Sequence, residues 1–245
     1  MAETAIVGTN SANPAAGEGA LDALFAAGAH YGYGKSRRHP SMKQVIFGAK
    51  NRVEIINIEK TDEYLDRALN IARSLGISGK TLLLVGTKNE AKKTIREAAE
   101  SIGAPYVVER WVGGMFTNFP EVKKRIARLK ELREKRESGG LDMYTKRERL
   151  LMQAEEERLA KLFGGIENME RLPDAIFVVD SRKEETAVRE ARRMKIPIIA
   201  LMNTDCDLAA AEYPIPANDA SLSSIRYFVE KIREAYSKRE PQPQP

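Results

Sequence analysis

One cysteine, two histidines and an aromatic content of 7% are all that 245 residues offer to chemistry based on thiols, imidazoles or stacked rings. The single thiol, Cys206, excludes an internal disulfide framework and fits a reducing compartment. His30 and His39 lie far from it in sequence, so no metal-ligand spacing and no Ser/His/Asp order arises. The scarcity of aromatics argues against a single-strand binder built on stacking. No apolar run approaches the roughly 20 residues of a membrane span. The longest, Ala175 to Val179 and Ile196 to Met202, are strand-sized. The N-terminus has neither the basic start nor the apolar core of a secretory signal. A cytoplasmic protein without a membrane partner is expected.

What the chain does have is basic charge in blocks. Lys35, Arg37, Arg38, Lys43, Lys50 and Arg52 fall in one stretch without an acidic residue. Lys123, Lys124, Arg125, Arg128, Lys130, Arg133, Lys135 and Arg136 fall in another, against Glu131 and Glu134. Either block alone could be a solvated face. Two of them, with interleaved glycines and little compensating acid, favour a polyanionic partner, and RNA first.

Hydropathy patterning divides the rest. Residues 1–19 are Ala/Gly/Asn/Ser/Thr-rich without a periodic apolar face and are expected to be a disordered leader; the Pro/Gln tail, 237–245, is expected to be disordered too. Strands are predicted at 80–85, 175–179 and 198–201, alternating with helices at 88–102, 184–194 and 222–236. That alternation implies βαβ units and a parallel sheet with helices on both faces. Residues 45–47 and 53–56 predict a hairpin around Gly48-Ala-Lys-Asn51, before a helix starting near Thr61. Residues 120–138 and 145–163 break the rhythm as two charged helices joined through Gly139-Gly140. One has Val122, Ile126, Leu129 and Leu132 inward, the other Leu151, Met152, Leu159 and Leu162. They predict an antiparallel coiled-coil hairpin, each arm roughly 28 Å long at about 1.5 Å per residue. Gly113-Gly114 and Gly164-Gly165 would turn the chain at its base. The expected organisation is a discontinuous α/β domain, 20–117 and 164–236, with a hairpin insertion at 118–163.

Several catalytic signatures fail on inspection. Gly79-Lys80-Thr81 ends like a phosphate loop, but Ser74 stands where its first glycine belongs, and the triplet precedes its strand. Val85-Gly86-Thr87-Lys88 lies at a strand's carboxyl end and enters a helix, so its N–H groups and Lys88 could hold an isolated phosphate. Asp180, Asp205, Asp207 and Asp219 gather where strands end and could hold Mg²⁺. Helix capping explains them better, since Asp180-Ser181 and Asn218-Asp219-Ala-Ser221 both precede helices. No cofactor and no enzymatic activity are expected. His30 to Met42 joins tyrosines, glycines and arginines as stacking and phosphate-binding groups. In Arg110-Trp-Val-Gly-Gly-Met-Phe-Thr-Asn118, Trp111 is read as packing the hairpin base, with Arg110 and Asn118 as backbone contacts. Lys123, Lys124 and Arg125 would continue that surface.

These segments carry a resemblance. His30-Tyr-Gly-Tyr, Pro40-Ser-Met-Lys, Ile46-Phe-Gly-Ala-Lys-Asn and Ile55-Ile-Asn-Ile-Glu-Lys-Thr61 follow one another in the order and spacing of a known family. So do Val85-Gly-Thr-Lys88, Arg110 to Asn118, Leu172-Pro-Asp-Ala-Ile-Phe-Val-Val-Asp180, Ile196-Pro-Ile and Ile215-Pro-Ala-Asn-Asp219. From about Leu21 to Tyr236 the chain resembles the S-two family of bacterial-type small-subunit ribosomal proteins. The resemblance implies a flavodoxin-like α/β domain with an inserted coiled-coil hairpin, bound to small-subunit ribosomal RNA at the head–body junction. It also implies neighbouring small-subunit proteins, including the large mRNA-binding protein, as partners. Three departures stand out: Tyr33 replaces the family's second His, Arg38-His39 its Trp-Asn, and Asn203-Thr-Asp-Cys-Asp-Leu208 its Asp-Thr-Asn-Cys-Asp-Pro. The last moves a carboxylate from the first position to the third. A Rossmann-like enzyme would need a phosphate loop and a pocket base that the sequence lacks. A protein–protein adaptor would bind through the hairpin.

Overall fold

Short β-branched and leucine-rich strands, buried at every residue and turning alternate side chains to opposite faces, build the centre of the molecule. The structure is a computed structural model describing residues 14–138, 140 and 143–237. Helix α1 (Pro14–Ala26) leads into β1 (Tyr31–Gly34), β2 (Ile46–Lys50), β3 (Val53–Ile56) and α2 (Ile58–Ile77). Then come β4 (Leu82–Val85), α3 (Asn89–Ile102), β5 (Tyr106–Val107), α4 (Phe119–Glu137) and α5 (Lys146–Phe163). β6 (Ala175–Val179), α6 (Glu185–Arg193), β7 (Ile198–Met202), β8 (Tyr213–Pro216) and α7 (Leu222–Ser237) follow. Helix α1 begins inside the expected leader, where an alanine-rich stretch favours helix. The rest of that leader, 1–13, and the tail beyond Ser237 lie outside the described residues.

Five strands form a parallel sheet in the order β5-β4-β6-β7-β8. Counted from β4 the order is two-one-three-four-five, so the winding reverses between β4 and β6. One face carries Leu83, Val85, Ile176, Val178, Ile198 and Ala200, under α4–α6 and the buried Met42 and Val45. The other carries Leu82, Leu84, Phe177, Ile199 and Leu201, under α2, α3 and α7. Both faces are thus covered, as βαβ crossovers require. Strand β8 holds Pro214 and Pro216, which an edge strand tolerates because its outer N–H groups have no ladder to join. Helices α2 and α7 cross at Gly76, where a Cβ would lie 1.9 Å from the Tyr236 carbonyl oxygen.

A second, antiparallel sheet has the order β1-β3-β2. Its hairpin is tighter than expected. Gly48 to Lys50 extend β2, and the turn is Asn51–Arg52, both with positive φ, 51° and 66°. Two left-handed residues match the twist of a two-residue hairpin, which Asn suits well. The His30–Met42 stretch, read as stacking and phosphate-binding groups, also anchors the body, since Met42 is fully buried.

Helices α4 and α5 pack against each other. The stripe Val122, Ile126, Leu129 and Leu132 is buried as the periodicity predicts, in the same core as the sheet. The α5 stripe differs: Leu151 is 64% exposed, and Glu156 takes the inward position with Leu159 and Phe163. Thr145 closes a reciprocal capping box with Glu148, which fixes where α5 begins. Of the base glycines only Gly114 needs a left-handed φ, 91°. Gly165 serves close approach instead, since a Cβ there would meet the Tyr106 carbonyl oxygen at 2.3 Å.

Candidate nucleic-acid interface

The antiparallel sheet lifts most of the first basic block into solvent. Lys35, Arg37, Lys43, Lys50 and Arg52 are exposed, and among the described residues none has a carboxylate within ion-pair distance. The Arg37 guanidinium lies 4.7 Å from the centre of the Tyr33 ring, which holds it out as a planar donor. Arg38 is different. Its Nη1 donates to the Glu54 carboxylate at 3.0 Å, and Glu54 is buried in β3. A buried carboxylate without that partner would be costly, so Arg38 is committed inward.

Lys88 is committed more deeply. Its ammonium lies 2.7 Å from Asp180 and 2.9 Å from Asp219, and it donates to the Asp219 carbonyl. Burial works against its charge, but the two carboxylates outweigh burial and hold it well above the usual lysine range. Asp219 is fully buried; burial first, then the nearby Asp180 charge, pushes its carboxyl up to about 6 against the pull of Lys88 and the Asn203 amide. The neighbouring Thr87 N–H donates to Glu184 at 2.9 Å. The β4–α3 loop therefore does hold anions, as its position suggested, but they are the protein's own carboxylates. It sits where the sheet winding reverses, the usual ligand crevice of open α/β sheets. Here that crevice is filled from within.

Asp180, Asp205 and Asp207, for which the sequence favours capping over a cation site, do not form one ligand set. Asp180 caps the turn before α6 through the Arg182 and Lys183 N–H groups, Asp205 pairs with Arg182 at 3.1 Å, and Asp207 accepts from the Ala209 N–H. Asp180, Cys206 and Asp219 do bring ligand atoms within 4.8 Å of one another. A dication there would have to displace the Lys88 ammonium. Asn203, where the resembled family has Asp, donates to Asp219 at 3.1 Å and so adds a donor rather than a third negative charge.

At the foot of α4, Arg110, Asn118, Lys123, Lys124 and Arg125 are exposed. Lys124 pairs with Glu121 on the surface at 2.6 Å, and Lys123 lies over the Phe119 ring. Farther along α4, most cations turn to the chain's own acids. Arg128 bonds Glu131 and Glu155, Lys135 bonds Glu131, Arg136 bonds Glu156 and Arg133 bonds Glu167.

The segment Trp111 to Thr117 is held by a residue that sequence reasoning passed over. Glu190, buried on α6, accepts from the Trp111 indole (3.3 Å) and from the N–H groups of Gly114 (2.7 Å), Phe116 (2.9 Å) and Thr117 (3.3 Å). Burial pushes its carboxyl up, but these donors prevail and hold it below the usual glutamate range. The packing role read for Trp111 fits its edge-on contact with Phe116, at 4.8 Å. A sequence signal for Glu190 did exist: it shares the inward face of α6 with Ala187 and Ala191.

Comparison with known proteins agrees with the resemblance noted above. The model of a family described as Ribosomal protein S2 matches residues 24–238. The small ribosomal subunit protein uS2 of Helicobacter hepaticus is 44% identical over 212 residues, covering 86% of this chain and 80% of its own length. The proteins of that name from Wolinella succinogenes and Helicobacter acinonychis are each 42% identical over 212 residues. Each aligns with 86% of this chain, and with 78% and 86% of its own length.

Proposed function

This chain belongs to the ribosomal protein S2 family, and from that premise we propose that it is a structural, non-catalytic constituent of the small ribosomal subunit. In this reading it binds small-subunit ribosomal RNA in the cytoplasm and supports subunit assembly and translation. Neighbouring small-subunit proteins, the large mRNA-binding protein among them, are its further partners.

The observation that carries RNA binding is the contrast between two sets of cations. Those of the antiparallel sheet and the α4 foot are largely free, while four of the five on distal α4, Arg128, Arg133, Lys135 and Arg136, are paired internally. The proposed contacts are Lys35, Arg37, Lys43, Lys50, Arg52, Arg110, Asn118, Lys123, Lys124 and Arg125. Lys88 and Arg38 leave the set because their charges are spent on Asp180, Asp219 and Glu54.

The strand order supports a flavodoxin-like body, 20–117 and 164–236, and the paired α4 and α5 support a coiled-coil insertion over 118–163. Salt titration of ribosomal-RNA affinity tests the contact set. Replacing Lys50 and Arg52 by Gln should flatten the log–log slope by about 1.4, at roughly 0.7 per single-stranded contact. An unchanged slope returns that hairpin to a merely solvated face.

A further inference from the structure

A cleft of about 730 Å³ opens between the 37–40 stretch and the outward face of α6. Arg37, Arg38 and His39 line one wall; Arg182, Arg189 and Arg192 line the other. Arg189 and Arg192 stand three residues apart on α6, which keeps them on one helical face, and Arg182 lies in the turn that precedes the helix. Three carboxylates also border the cleft, each next to a cation. Asp205 pairs with Arg182 at 3.1 Å, Glu185 with Arg189, and Asp207 lies 3.7 Å from His39. Arg38 is spent on Glu54. Arg37 and Arg192, one from each wall, have no carboxylate within ion-pair distance among the described residues.

We propose that this cleft is a second RNA-backbone site, in which a looped or single-stranded segment of ribosomal RNA runs between α6 and the 37–40 stretch. The inference rests on the ribosomal-RNA reading and extends the contact surface to α6, which neither cationic block of the sequence includes. Arg37 and Arg192 each take a phosphate. Arg189 exchanges its exposed, weak pair with Glu185 for phosphate oxygens, which a guanidinium fork matches in two places at once, while Arg182 stays on the largely buried Asp205. Two features favour RNA over an acidic protein. The donors are guanidinium groups, and Arg37 joins the cleft to the free cations of the antiparallel sheet.

The test uses the full chain and small-subunit ribosomal RNA, with affinity measured across a salt series. Arg189→Gln/Arg192→Gln should flatten the log–log slope by about one to one and a half. The control is Arg193→Gln/Lys195→Gln, which removes the same charge from exposed positions outside the cleft and should shift the slope by less than half as much. Equal shifts, or none in the cleft variant, overturn the proposal while the Lys50→Gln/Arg52→Gln variant still reports on the wider reading. A parent chain that binds ribosomal RNA no better than unrelated RNA overturns that reading, and the cleft with it. Arginine-selective glyoxal labelling then names the occupant. Protection of Arg189 and Arg192 by RNA alone supports the site; protection only after ribosomal proteins are added assigns the cleft to a protein and overturns it.

Discussion

Replacing Lys88 by Met keeps most of the side-chain volume and removes one charge from between two carboxylates. In the parent the ammonium stands 2.7 Å from Asp180 and 2.9 Å from Asp219, with Asp219 fully buried. Breaking a buried ion pair on one side costs about 3–5 kcal/mol, because the partner's charge stays buried. For a chain of this length about 1 kcal/mol moves the melting temperature by roughly 2–4 °C, so a drop of about 10 °C is expected. The loss should depend on pH. Asp219 already has a folded-state pKa raised from 3.8 to about 6, so its favourable contribution is complete below about pH 4 and fades as pH rises through about 6. Without Lys88 it rises further, so the variant's deficit should be small at pH 4.5 and large at pH 7.5. Adding Asp219→Asn should recover part of the deficit at pH 7.5. Thermal unfolding at both pH values decides. A deficit under about 1 kcal/mol, or one equal at both, refutes the account of a crevice held shut by its own cation.

Glu190→Ala leaves its indole and backbone donors without an acceptor and should cost at least about 3 kcal/mol, with Glu190→Gln costing less. Trp111 is the only tryptophan, so a red-shifted emission in the folded variant would report the loosened segment directly. Because Glu190 is held below the usual glutamate range, its stabilisation should be present at neutral pH and vanish as acid protonates it. Burial, then the nearby Asp180 charge, pushes the Cys206 thiol up to about 12. Labelling by a thiol reagent at pH 8 should therefore be about a thousandfold slower than for an ordinary cysteine and rise only on unfolding; rapid stoichiometric labelling would contradict this. Deleting residues 134–153 and closing with a Gly/Ser turn keeps Leu129, Leu132, Glu156 and Leu159, so the melting temperature should fall by only several degrees. A collapsed transition would make the distal arm part of the core.

The sheet was legible wherever burial was two-sided. β4, β6 and β7 are short continuous apolar runs, and α3 and α7 show one-sided periodicity, so their bounds follow within a residue or two. β5 and β8 were not legible. One has two residues, the other carries two prolines, and both are strands only because β4 and β7 offer their edges. The site was harder for a single reason: a sequence shows charge but not its partner. Lys88 reads as a free cation because Asp180 and Asp219 lie 92 and 131 residues away along the chain. Arg133 and Arg136 read as an outward surface until α5 and the segment beyond it bring Glu156 and Glu167 alongside. Leu151 was misassigned because 3.6-residue spacing alone does not choose between Leu151 and Glu156.

The place of α4 and α5 in the chain bears on how the protein comes off the ribosome that makes it. Thr81 and Asp174, which open the β4–β6 pairing, are 93 residues apart, with both helices between them. At about 5–20 residues per second, β6 emerges roughly 5–20 s after β4. During that interval the Leu82–Val85 ladder has only the two-residue β5 to pair with, and one flank of a leucine-rich strand stays open. Local helix formation is over within microseconds, so α4 and α5 are complete long before the central strand arrives. The nascent chain thus passes through a stage with a finished arm and an unfinished sheet, when its exposed strand edge is most vulnerable to wrong pairing.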